Sequence, residues 1–139
     1  MSLPTLALTR GTFHAALMAL LCVSEPAHSE PRLEGRFQGR GEGILSLRVA
    51  DVSTDQNRPE YYVTADTAVP NECTGSVGGL AALINPGTLR LRQKNEGSEQ
   101  ACEVMLRFSP DRSRVTMSAQ SCSDFRGMSC DFAGTLKRR

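Results

Sequence analysis

The residues able to do chemistry in this chain are cysteines, carboxylates and arginines. Histidine occurs twice in 139 residues, as His14 and His28, and both lie in an N-terminal stretch that reads as a secretion signal. Without that stretch no imidazole remains, and neither a Ser-His-Asp nor a Cys-His nucleophile system can be assembled. Cys73, Cys102, Cys122 and Cys130 contain no C-x-x-C knuckle for zinc, and export favours their oxidation to disulfides. No metal and no other cofactor is expected. Two carboxylates meeting across a cleft could hydrolyse a glycoside. Glu34, Glu42, Asp51, Asp55, Glu60, Asp66, Glu72 and Asp131 are instead scattered over strand edges and turns, the pattern of solvated surface charge. The chain is therefore not read as an enzyme.

The signal carries much of that argument. Arg10 is followed by an apolar run from Phe13 to Val23 (FHAALMALLCV), long enough for the hydrophobic region of a signal peptide and too short to span a bilayer. The run ends at Ser24-Glu25-Pro26, where helix propensity fails. Ala27 and Ser29 supply small residues at −3 and −1, which predicts cleavage before Glu30, with cleavage after Ala27 as the alternative. A lipid anchor on Cys22 is disfavoured because bulky Leu21 precedes it. Residues 1–29 are thus expected to be removed, and 30–139 to form one soluble domain in the periplasm of a Gram-negative cell or outside it.

Strand signals run through that domain. Leu45, Leu47 and Val49 alternate with polar residues, as do Tyr61, Val63 and Ala65, then Leu89 and Leu91, then Cys102, Val104, Leu106 and Phe108, then Val115 and Met117. Cys130, Phe132, Gly134 and Leu136 close the series. The segment Arg32–Gly39 opens it, and the glycine-dotted Cys73–Leu80 reads as a kinked strand or a tight backbone approach. Turn signals fall between these runs: Asp55–Pro59, Asn85-Pro86-Gly87, Lys94–Gly97 and Ser109-Pro110-Asp111. Only Ala81–Ile84 hints at a helical turn. About eight short strands predict an all-β fold, an antiparallel meander closed into a small barrel or flattened into a sandwich.

A simple up-and-down order brings the four cysteines to one end. Four cysteines allow three pairings. The favoured one is Cys73–Cys102 with Cys122–Cys130, the second clamping a hairpin loop (SDFRGMS). Cys102–Cys122 across the hairpin of the sixth and seventh strands is the rival, and composition does not choose between them.

The closing stretch from Cys122 to Leu136 (CSDFRGMSCDFAGTL) resembles the C-x-x-[FY]-H-G-x-x-C-x-F-x-G-x-[YL] ending of small proteobacterial periplasmic domains. Cys73–Gly79 and Cys102–Phe108 resemble the C-x-G-x-x-x-G and C-E-[LV]-x-[LI]-x-F elements of the same family, over roughly residues 34 to 138. Arg126 stands where the pattern prefers histidine. Some relatives accompany an LprI-type lysozyme-inhibitor domain. The resemblance implies a compact disulfide-containing β domain and, less directly, inhibition of an enzyme such as lysozyme.

Two functions follow from these readings. The first is a binding module for a protein partner in the envelope, in which the loop Ser123–Ser129 makes the contact. Phe125 and Met128 would be its apolar residues, and Asp124 and Arg126 its polar ones. The second is an envelope-associated or small-ligand carrier using the barrel mouth or a basic patch of Arg32, Arg36, Arg40, Arg48, Lys137, Arg138 and Arg139. The bland reading of that patch is solvated charge deterring aggregation at exposed strand edges. With 16 basic against 15 acidic residues, no net field draws the chain to nucleic acid. No stable membrane insertion is expected either.

Overall fold

A computed structural model describes residues 32–55 and 57–139. The expected signal segment, its cleavage site before Glu30 and Cys22 lie outside the described residues. The order is β1 (Gly35–Gly41), β2 (Ile44–Asp51), β3 (Tyr61–Val69), β4 (Cys73–Asn85), β5 (Thr88–Gln93), β6 (Cys102–Phe108), β7 (Arg114–Gln120), a 3-10 turn (Ser123–Phe125) and β8 (Gly134–Arg138). Each strand pairs antiparallel with the next, and β8 returns to pair with β1, which closes an up-and-down barrel. Of the two architectures expected, the barrel is the one observed.

Alternation decides what faces inward. Phe37, Leu45, Val63, Leu89, Leu91, Val104, Leu106, Val115, Phe132 and Leu136 are completely buried, with Val49 and Met117 nearly so. An eight-stranded barrel is just wide enough for its own side chains to fill. Phe37 meets Phe108 edge-on, with ring centroids 5.6 Å apart. Burying side chains of this size stabilises the fold by about 1.5–3 kcal/mol each.

The turns form where the sequence placed them, and aspartate and asparagine side chains hold them. The Asp51 Oδ1 accepts the Ser53 amide at 2.9 Å, the Asp55 Oδ1 accepts the Asn57 amide at 2.9 Å, and the Asn85 Oδ1 accepts the Gly87 amide at 3.1 Å. Closure depends on side chains as well as ladders. The Arg138 guanidinium donates to the carbonyl oxygens of Glu34, Arg32 and Arg112, at 2.6, 2.8 and 3.0 Å, and lies 4.7 Å from the Phe37 ring centroid. It staples the last strand to the chain segment that precedes the first. Glycine lets β1 and β8 meet closely, because a Cβ on Gly39 would collide with the Thr135 carbonyl.

Two expectations are corrected. Ala81–Ile84 is not a helical turn but the continuation of β4, which runs 13 residues. Ala81 pairs with Tyr61 on one side and Leu91 on the other, so the backbone donors and acceptors of the segment are taken up by two ladders. Four residues are too few to nucleate a helix against that competition.

The disulfide pairing is the second correction. The bonds are Cys73–Cys130 and Cys102–Cys122, with Cα atoms 6.0 and 4.3 Å apart, not Cys73–Cys102 and Cys122–Cys130. The cause is the length of β4. Cys102 lies opposite Gln93, and a Cβ on Gly79 would touch the Gln93 side chain. Cys73 is six residues upstream of Gly79, about 20 Å away along a strand, and beyond disulfide reach of Cys102. Cys122, just past the end of β7, faces Cys102 at the start of β6 instead.

Candidate functional site

Two regions gather the residues singled out by type. The first is the disulfide-bonded end of the barrel, covered by the segment Ser123–Ser129. This segment runs against the overhanging start of β4. Gly127 donates its amide to the Thr74 carbonyl at 3.1 Å, and Arg126 forms an antiparallel bridge with Gly75. The tight approach expected of the glycine-dotted segment is here: a Cβ on Gly75 would sit 2.7 Å from that of Arg126 and 2.9 Å from the Phe125 carbonyl.

Within the segment the four candidate contact residues divide. Phe125 is half-buried and packs against the core, so it is a lid residue. The Asp124 carboxylate accepts the Ser98 hydroxyl, and its carbonyl accepts from the Asn95 amide nitrogen at 3.3 Å. Arg126 is half-buried, with Nη1 donating to the Gly127 carbonyl at 3.2 Å. Met128 is the apolar one that projects outward, 98% exposed. Between this segment and β3–β4 lies an open groove of about 610 Å³, bordered by Asp66, Thr74, Ser76, Asp124 and Arg126. The sequence marked Asp124 but not its partners Asn95, in the turn Lys94–Gly97, and Ser98, just after it.

The second region is the outer wall. Arg36 and Arg48 face each other across β1 and β2, and Lys137 lies across from Gln38 on one side and Arg114 on the other. Arg40 and Arg107 flank the same surface, linked through Thr135 and Thr116. Arg139 extends β8, its amide bonded to the Arg36 carbonyl and its guanidinium to Gln38 Oε1, 2.8 Å from Nε. Of the expected patch, Arg36, Arg40, Arg48, Lys137 and Arg139 are brought together. Arg32 is instead ion-paired with Glu34 at 3.1 Å, and the Arg138 guanidinium is spent on backbone carbonyls. Arg107 and Arg114 were not foreseen, although their positions between inward Leu106, Phe108 and Val115 already turned them outward.

Among strand residues only Asp51, Asp66 and Glu103 are acidic. Glu103 pairs with Arg92 at 3.5 Å. Asp111, between β6 and β7, accepts from the Ser109 and Ser113 hydroxyls at 2.6 and 2.7 Å and from the Ser113 amide. The Ser109 hydroxyl, followed by the Ser113 donors, holds its carboxyl down to about 2. A hydroxyl bond from Ser53 likewise lowers Asp51. The sulfurs of Cys73, Cys102, Cys122 and Cys130 are consumed in disulfides, and among the described residues no group of histidine, cysteine and acidic side chains could hold a metal ion.

A carrier that uses the barrel interior does not fit side chains that fill it. The surface depressions lie outside, on the wall and at the barrel ends. The arginine-studded exterior is also unlike the apolar band of a membrane barrel, and no described helix is long and apolar enough to cross a bilayer. No family model, curated protein or solved structure matches this chain.

Proposed function

We propose that the domain is a non-catalytic, exported binding module that contacts a protein partner through the tip of its disulfide-tethered segment. The observation that carries this reading is Met128. A flexible apolar side chain stands 98% exposed on a segment anchored by the Cys73–Cys130 bond and by the Gly127–Thr74 hydrogen bond. Most of the ordering entropy of such a tip is lost before binding, which favours affinity, and methionine adapts to irregular apolar pockets. Two disulfides support an oxidising compartment, and the secretion signal read from the N-terminal residues supports the periplasm or the exterior. The resembling family makes an envelope enzyme, lysozyme in particular, the partner class to test first.

The test compares two truncations three residues apart, against a panel of purified lysozymes, by binding and by inhibition of peptidoglycan lysis. Met128→Ala is expected to leave the melting temperature unchanged and abolish binding. Phe125→Ala is expected to cost about 2 kcal/mol of lid packing and lower the melting temperature by several degrees. A Met128→Ala protein that inhibits as well as the native one removes the tip from the reading. A native protein that binds no lysozyme removes that partner class.

A further inference from the structure

We infer that the outer wall from β6 through β7, β8 and β1 to β2 is a binding surface for an anionic polysaccharide, separate from the Met128 tip and independent of its role. The case starts from a cost. Arg36 lies directly across from Arg48, and Arg114 directly across from Lys137. Like charges at directly opposed positions destabilise a sheet. Among the described residues none of these four, nor Arg40, Arg107 or Arg139, takes part in an ion pair. The usual reason to tolerate such charge is protection of an open strand edge. That reason is missing here, because β1 and β8 are paired to each other and the barrel has no edge. Most acidic residues, nearly as numerous in the chain, are meanwhile placed in turns and loops. Of the three on strands, Glu103 is paired with Arg92, Asp51 ends β2, and Asp66 borders the wall on β3 beside Arg36 and Arg48.

The arrangement fits a chain of spaced anions. The cations lie on five consecutive strands of the eight, an arc of about 19 Å at the ~4.8 Å strand spacing that follows the barrel surface half-way round. All but Lys137 are arginines, whose planar fork pairs bidentately with carboxylate and sulfate-like oxygens. Between them stand Gln38, Ser46, Thr116 and Thr135, neutral donors and acceptors suited to sugar hydroxyls. Shallow grooves of about 450 and 390 Å³ run along this wall, the first bordered by Gln38, Arg40, Lys137 and Arg139, the second by Arg107, Arg114 and Thr116. No aromatic side chain points outward from these five strands. The wall thus lacks the stacking platform that single-stranded nucleic acid requires. Ile44 is its only large exposed aliphatic residue, too little to seat the domain in a lipid surface.

The test is fluorescence anisotropy of the purified domain with labelled octasaccharides, one derived from heparin and one from polygalacturonate, which separate sulfate from carboxylate recognition. Binding to at least one is expected, weakening as salt rises. The double variant R36Q/R48Q should weaken it about 25-fold, roughly a factor of five for each cation removed. The control R90Q/K94Q, with the same loss of charge on and just after β5 and no ion pair broken among the described residues, should change it by less than about twofold. Because R36Q/R48Q relieves a repulsion, its melting temperature should not fall. Equal weakening by both variants, no binding of either octasaccharide, or destabilisation of R36Q/R48Q would overturn the inference. Equal or tighter binding of a single-stranded oligonucleotide or of phosphatidylglycerol vesicles would overturn the assignment to polysaccharide.

Discussion

The disulfide-bonded end and the cationic wall use charged and apolar side chains in opposite ways. At the end, almost every polar group is engaged within the chain: Asp124 holds Ser98 and Asn95, Arg126 folds over its own backbone, and Phe125 turns in to the core. On the wall, seven cations stand without a carboxylate partner among the described residues, two pairs of them directly opposed. The contrast teaches that a residue type does not announce its role. Arg138 and Arg139 are neighbours in sequence, yet the first is a structural staple and the second belongs to the wall. The difference is whether the local backbone offers carbonyl oxygens to satisfy the guanidinium.

The largest expected effect breaks the end. Cys130→Ser opens the bond that joins residues 57 apart, whereas Cys122→Ser opens one joining residues 20 apart. Loop-closure entropy puts the losses at about 4 and about 3 kcal/mol, read as the shift in denaturant midpoint. A Cys130→Ser protein no less stable than Cys122→Ser would show that the end is braced by its hydrogen bonds rather than its longer cross-link.

A smaller effect separates staple from wall. Arg138→Ala removes three hydrogen bonds to backbone carbonyls and the contact over Phe37, an expected loss of about 2 kcal/mol. Arg48→Ala should change stability by less than about 0.5 kcal/mol. Thermal melts of the two variants at the same pH decide it, and equal losses would erase the distinction between the regions.

The smallest effect concerns an acid of the turn between β6 and β7. Asp111 has its folded-state value lowered from 3.8 to about 2 by the Ser109 and Ser113 donors. A depressed carboxyl stabilises the fold above its unfolded value and loses that contribution as pH falls through the folded one. Native protein should therefore out-melt Asp111→Asn at neutral pH, and the gap should narrow below pH 3.8 and vanish near pH 2. A gap constant with pH would mean that the asparagine changes the turn rather than its charge.

Much of the fold was legible before any coordinates. Inward positions such as Leu45, Val63, Leu91, Val104 and Leu136 follow from a period of two, and the Asn85-Pro86-Gly87 and Ser109-Pro110-Asp111 turns from their own side chains. The site was legible only in pieces. Arg36, Arg40, Arg48, Lys137 and Arg139 were grouped correctly, because β1, β2 and the chain end become neighbours once a meander closes. Arg107 and Arg114 were not, since their nearness to Lys137 passes through β7 and β8, far apart from β1 in sequence. Met128 and Phe125 looked alike as apolar residues of one loop, and only packing divided them.

The amino-acid sequence by itself determined the all-β class, the faces of the strands, the positions of the turns and the gathering of four cysteines at one end. These are consequences of local chemistry: alternation, turn propensity and the reversal of direction at each hairpin. The tertiary structure alone decided which cysteines bond, whether the sheet has an edge, and which arginines lie without counter-charge. Each of those depends on register added up around eight strands. The overhang of β4 moved Cys73 away from Cys102, and the β1–β8 ladder turned scattered basic residues into one wall.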